Sequence, residues 1–192
     1  MTPRDAILPV VLVGGRSSRF GRDKLREPLG HDEWLVDRPI AALRAAFGPR
    51  VVLVGACNAE IRLRGDDWLD EEGPAARGPA AGIAAALRRG SDVFVLAGDL
   101  PSVTEAVVEL VLDVAAQHPD ALAALARTDR VEPCVGLYRR AALPFLDACL
   151  EDPRGALMRA IPEARLALVD VDPTHLRNVN RPEDLAAAEG AA

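Results

Sequence analysis

A chain of 192 residues with 49% hydrophobic and 27% charged residues suits a single globular domain, here 1–192, with an aliphatic core because aromatics make up only 4%. A net charge of -6 argues against broad nucleic-acid binding, which calls for a basic face. The apolar run Ile7 to Val13 is interrupted by Pro9 and falls far short of the roughly 20 residues of a membrane helix, so neither a span nor export is expected and the chain is read as cytoplasmic.

Ile7 to Val13 is valine-rich and ends in Gly14-Gly15, which suits a buried parallel strand. After a polar loop over 14–33, Leu35, Ile40, Leu43 and Phe47 recur at near-helical spacing until Gly48-Pro49. Val51 to Val54 reads as a second buried strand, Leu63 to Leu69 as a weaker third, and the acidic, Gly- and Pro-rich stretch Asp70 to Arg77 as loop. Pro79 opens a small-residue helix that runs to Gly90, and Asp92 to Ala97 forms the next buried strand. Thr104 is placed as the cap of a helix ending near His118-Pro119. Ala121 to Ala126 and Val135 to Tyr138 suggest strands flanking the turn Thr128-Asp129-Arg130. Helices follow at Ala141 to Leu150 and Gly155 to Ile161, then a strand at Leu166 to Val169 and a helix after Pro182. Strand alternating with helix predicts a Rossmann-like, doubly wound α/β fold, a mostly parallel sheet with helices on both faces and ligands at the carboxyl ends of the strands.

The chemistry-bearing residues gather at those ends. Leu12-Val13-Gly14-Gly15 leads into Arg16, Ser17, Ser18, Arg19 and Lys24, and paired glycines after a strand let main-chain N–H groups approach phosphate. The loop lacks the Gly-Lys-Ser/Thr of a P-loop and the Gly-x-Gly-x-x-Gly of dinucleotide folds; its plainer alternative is a basic solvated turn. Lys24 is the only lysine beside 22 arginines, and a compact ammonium differs from a guanidinium in reach and hydration, so it is read as chemically chosen. Asp99, in Gly98-Asp99-Leu100-Pro101, can aim a carboxylate into the ligand crevice or serve only as a turn or cap residue. Asn178 and Asn180 alternate around Val179, so an extended backbone points both to one side, either for a ligand or for a turn. Cys57, Cys134 and Cys149 lack any Cys-x-x-Cys spacing and read as reduced core residues, and Trp34 and Trp68 as packing. His31, His118 and His175 are scattered and carry no assigned chemistry.

The first loop resembles that of the molybdenum cofactor guanylyltransferase family, whose pattern is Leu-Ala-Gly-Gly, Ser-x-Arg-Met-Gly and Asp-Lys; here Val13 and Phe20 replace the alanine and methionine. Gly78-Pro79-Ala80-Ala81-Gly82, Leu96 to Pro101, and Asn178-Val179-Asn180-Arg181-Pro182-Glu183-Asp184-Leu185 are similar to three further family motifs in family order. The resemblance implies a nucleotidyltransferase-type sheet and transfer of GMP from GTP to molybdopterin, with release of pyrophosphate. Lys24, Arg19 and Asp99 would be catalytic, with magnesium on Asp99, which suits a metal that takes few carboxylates plus phosphate and water. Leu12, Val13, Gly14, Gly15, Lys24 and Asp99 would bind nucleotide. An acidic residue before the Gly-Pro loop would read guanine, with Glu71 favoured by spacing and Asp70 next, while Glu72 also lies in what could be a solvated acidic loop. Arg19, Arg154, Asn178 and Asn180 would hold the second substrate, Arg154 being equally explicable by its place at a helix end.

The family often has an asparagine after its second strand, where this chain has Val54-Gly55-Ala56, so any base contact there is expected from backbone. The resemblance leaves room for transient contact with molybdenum cofactor insertion proteins, and predicts neither a nucleic-acid nor a membrane partner. Two other readings stay open: a cytidylyl- or sugar-phosphate nucleotidyltransferase of the same fold, and a nucleotide-binding module without catalysis.

Overall fold

The computed structural model describes residues 3–14, 23–30, 32–70, 78–152, 156–181 and 183–185. Seven strands form one sheet: β1 (Ile7–Leu12), β2 (Val52–Val54), β3 (Asp67–Leu69), β4 (Asp92–Ala97), β5 (Ala123–Arg127), β6 (Val131–Tyr138) and β7 (Leu166–Asp170), in the order β3-β2-β1-β4-β6-β5-β7. All run parallel except β6, which lies antiparallel to both β4 and β5. The mostly parallel, Rossmann-like sheet expected from strand–helix alternation is therefore present.

Alternation within each strand divides the core into two layers. Val11 and Val13 of the first strand and its extension, with Phe94 and Leu96 of β4, pack with Ile40 and Leu43 of α1 (Asp37–Phe47) and Val108 and Val111 of α4 (Glu105–Gln117). Val10 and Leu12, with Val93 and Val95, face the other way, onto Ile83 and Leu87 of α3 (Pro79–Leu87) and Leu146 of α5 (Leu143–Glu151). A period of two in the strands thus supplies both faces, and burying both is what a parallel sheet requires. Short helices α2 (Ala59–Arg62) and α6 (Leu157–Ala160) complete the described helices, and residues 183–185 are helical after Pro182.

Several local outcomes differ from the sequence reading. Leu35 is fully buried but precedes α1, because residues 28–34 form a small hairpin-like turn with a Pro28–Trp34 bridge. The third strand is only its last three residues, since Asn58 caps α2 and its side chain accepts a hydrogen bond from the Ile61 N–H; the capping asparagine starts a helix where a strand start was expected nearby. Thr104 occupies the cap position of α4 with extended backbone angles, yet its side chain makes no capping bond. β6 begins at Val131, four residues before the expected start, because Thr128 N–H bonds to Arg130 C=O and closes a tight hairpin. The three cysteines are free, as expected, but half-buried. No helix among the described residues is long and apolar enough to cross a membrane.

Gly136 is where β6 crosses most closely over β5: a Cβ there would lie 2.3 Å from Ala124 C=O and 2.7 Å from a Leu125 methyl. Gly136→Val should therefore part the two strands and lower stability by about 1–3 kcal/mol, read as a lower urea midpoint with an unchanged slope.

Candidate active site at the carboxyl edge of the sheet

The parallel strands all end along one edge, and the sequence-selected residues lie on it. β1 continues through Val13, whose N–H bonds to Val54 C=O at 2.8 Å, and Gly14 emerges exposed. Leu12 and Val13 bury their side chains in the two core layers, so these two residues shape the strand end from within. Next door, Gly98 N–H bonds to Leu12 C=O at 2.9 Å. A Cβ at Gly98 would lie 2.9 Å from that same carbonyl and 3.2 Å from Leu25, so only glycine lets β1, β4 and the Leu25 turn close together here. Asp99 follows directly.

Lys24 begins a 3-10 turn, Lys24–Arg26, on the far side of that close approach. Its Nζ donates to Asp99 Oδ2 at 2.6 Å and to Val179 C=O at 3.0 Å, and Val179 N–H bonds back to Asp99 C=O at 3.0 Å. Three segments 75 and 155 residues from Lys24 at their extremes are so tied at one point. Both charged side chains are largely shielded, with 20% and 15% of their surface exposed, which strengthens their attraction relative to a surface pair. Two of the three N–H bonds of the ammonium go to these oxygens, leaving one for another acceptor.

Val179 itself is buried against Leu29 and Leu35, while Asn178 is half-buried and Asn180 exposed, so the two amides flank an inward-facing valine. Asp184 fixes the segment from below by accepting the N–H groups of Asn180 and Arg181 at 2.9 and 2.8 Å, and these bonds hold its carboxyl below the ordinary range. The structure accordingly brings Gly14, Lys24, Asp99, Asn178 and Asn180 to one rim.

Asp70 stands exposed just past the end of β3, on the same edge. Between it and β1, the Gly55 backbone is committed: its N–H bonds to Leu69 C=O and its C=O accepts the Trp68 indole N–H, both at 2.9 Å. A base contact from that loop therefore has to come from elsewhere than Gly55. The two tryptophans pack against the core under stacked guanidinium groups, Arg62 lying 3.5 Å above Trp68 and Arg64 4.1 Å above Trp34. Gly15, Arg19, Glu71, Glu72, Arg154 and His31 lie outside the described residues.

Asp99 alone supplies carboxylate oxygens at this point, and no group of three or more His, Cys, Asp or Glu side chains among the described residues could hold a metal. One hard carboxylate suits a magnesium ion that takes its other ligands from phosphate and water, and does not suit an all-protein cage.

Two residues that the sequence reading passed over line this region. Asn58, the third asparagine, donates from Nδ2 to Asp23 Oδ2 at 2.9 Å; its signal was a capping residue before a short apolar-and-charged turn. Cys134, in the half-buried first part of β6, has its thiol pushed up to about 12 by burial, with the carboxylates of Asp99 and Glu132 adding to the effect. It stays a protonated thiol near neutrality and is neither a nucleophile nor a metal ligand there. The raised value carries a sign. From about pH 9 to about 12 the unfolded chain has released this proton while the folded chain keeps it, so stability falls as pH rises across that window and is untouched by Cys134 below it. Cys134→Ala should show a shallower alkaline fall in urea midpoint than the parent chain.

Comparison with known proteins agrees with this arrangement. Residues 9–168 match the family model described as the MobA-like NTP transferase domain. The chain is 32% identical over 208 residues to a molybdenum cofactor guanylyltransferase of Rhizobium johnstonii, covering 95% of this chain and 91% of that one. It is 28% identical over 192 residues to a probable molybdenum cofactor guanylyltransferase of Rhodopirellula baltica, covering 93% and 90%. The fold also matches the crystal structure of molybdopterin-guanine dinucleotide biosynthesis protein A from Archaeoglobus fulgidus with a TM-score of 0.71 at 24% identity, covering 95% and 96% of the two chains. A glycine-ended first strand, a strand-end aspartate and a lysine joined to it thus stand in a chain that belongs to the MobA-like NTP transferase family.

Proposed function

We propose that this chain, as one nucleotidyltransferase domain over 1–192, transfers GMP from GTP to molybdopterin in the cytoplasm. The observation that carries the reading is the meeting of Lys24 and Asp99, at 2.6 Å, on the carboxyl edge of the sheet where α/β folds take their ligands. The relatives named as molybdenum cofactor guanylyltransferases support the choice of substrates.

In this reaction a phosphate oxygen of molybdopterin forms a bond to the α-phosphorus of GTP, and the bond from that phosphorus to the bridging oxygen breaks, releasing pyrophosphate. The attacking phosphate is already ionised near neutral pH, so proton removal is a minor demand and positioning with charge stabilisation is the major one. Magnesium held by Asp99 would neutralise charge on the phosphate oxygens. Lys24 has an N–H to give the triphosphate while it still touches Asp99 and Val179, which places its charge without long reorganisation. The Gly14 and Gly15 amides would receive the triphosphate, and Arg19 would add charge. Asp70 or Glu71 would accept from the guanine ring N–H and amino groups. Asn178 and Asn180, with Arg154 and Arg19, would face the second substrate; because Val179 is bonded to both Lys24 and Asp99, that face and the nucleotide face share one support.

Pyrophosphate release with molybdopterin, magnesium and each of GTP, CTP, ATP and UTP tests the proposal. Turnover is expected with GTP above the others, and Asp99→Asn should lower it about a hundredfold or more. An Asp99→Asn variant turning over at the parent rate would remove the metal assignment. Thermal denaturation gives a second reading: GTP with magnesium at about 100 times its dissociation constant should add about 2.7 kcal/mol, and equal shifts with all four nucleotides would remove the guanine preference.

A further inference from the structure

The backbone that carries Lys24 is held by a pair of side chains lying outside the crevice. Asp23 accepts with both oxygens: Oδ1 from the Leu25 N–H at 3.3 Å, closing the 3-10 turn, and Oδ2 from Asn58 Nδ2 at 2.9 Å. Asn58 is likewise used at both ends, since its Oδ1 accepts the Ile61 N–H at 2.9 Å as the cap of α2. Both residues are half-buried, and the bond between them joins a neutral donor to a carboxylate, the stronger kind of hydrogen bond. Arg26 and Glu60, one step further along each segment, form an ion pair at 2.5 Å, but both are well exposed and add little. The clamp thus rests on Asp23 and Asn58, which bolt the lysine's turn to the segment that follows β2.

The need for it follows from the chemistry of lysine. A four-carbon stem has many rotamers, so an ammonium is located only when its Cα is fixed and its far end is bound. Asp99 and Val179 bind the far end; the near end is a single turn entered from residues outside the described part of the loop. We infer that Asp23 and Asn58 are positioning residues for nucleotidyl transfer, acting through Lys24 by fixing the turn from which it reaches Asp99. The inference rests on the proposed role of Lys24.

The test exploits the mirror-like use of the two side chains. Asp23→Asn and Asn58→Asp each keep a side chain that can cap its own segment, but each single change costs one of the three bonds: Asp23→Asn sets donor against donor, and Asn58→Asp sets carboxylate against carboxylate. Together they restore the pair with donor and acceptor exchanged. Each single variant is expected to lose about tenfold or more in kcat for GTP-dependent pyrophosphate release, with KM for GTP moving less than about threefold, because a misplaced charge harms the transition state more than ground-state binding. The double variant should recover to within about threefold of the parent. Melting temperatures of all three are measured alongside. Single variants that keep the parent kcat while Lys24→Met loses it would overturn the clamp and leave the role of Lys24 standing. Failure of the double variant to recover, or losses that simply follow the melting temperature, would also overturn it. A Lys24→Met variant with the parent rate would instead bring down the proposed function, and the clamp with it.

Discussion

Everything at the functional edge depends on one shielded charge pair, Lys24 with Asp99, and on the single peptide unit of Val179 that each of them also grips. The pair can exist only because β1 and β4 approach so closely that Gly98 has no room for a side chain. It brings together a turn from near the start of the chain, a strand end from its middle and an extended segment from near its end. Removing one member would leave a half-buried charge facing a carbonyl or an amide with no partner, which is costlier than the pair itself is favourable. The arrangement therefore ties the shape of the second-substrate face to the same atoms that face the triphosphate.

The sheet delivers these groups without bending any strand. Each strand alternates between two apolar layers, one under α1 and α4 and the other under α3 and α5, so the strands are locked in height as well as in register. With β1 and β4 matched from Ile7 opposite Asp92 to Leu12 opposite Ala97, their exits lie side by side, and loops of a few residues suffice to place Gly14 and Asp99 as neighbours. Small residues contribute too: seven of the nine residues of α3 are buried, mostly alanines, which lets that helix lie close under the strands.

How far this was legible in the sequence depends on the range of the interaction that decides each feature. β1 and β4 are continuous apolar runs with glycine at their exits, and their bounds were readable almost to the residue. β6 was read short because its first half, with Glu132 and Pro133, is only half-buried and carries no apolar signature; the turn that starts it is a backbone bond. α2 is one turn long and announced only by Asn58. In the site, Lys24 stood out by being the one lysine, and Asp99 by ending a strand, so their pairing could be anticipated from chemistry. The bond from Asn58 to Asp23 could not, since it joins polar residues 35 positions apart that belong to no motif and whose spacing has no period.

The reversed strand has a consequence of its own. Six strands present their last residues to the ligand edge, but β6 presents its first, so at that place the rim begins just after the hairpin at 128–130. Glu132, Pro133 and Cys134 stand there half-buried, whereas Val135 to Tyr138 are sealed in the core. Lengthening or shortening a loop between parallel elements alters the path into a helix, but a change in this hairpin alters only the height of a wall. The family's architecture thus contains one adjustable parapet beside an otherwise fixed floor, and variation in bound partners can accumulate on it without reaching the close contact of the first and fourth strands.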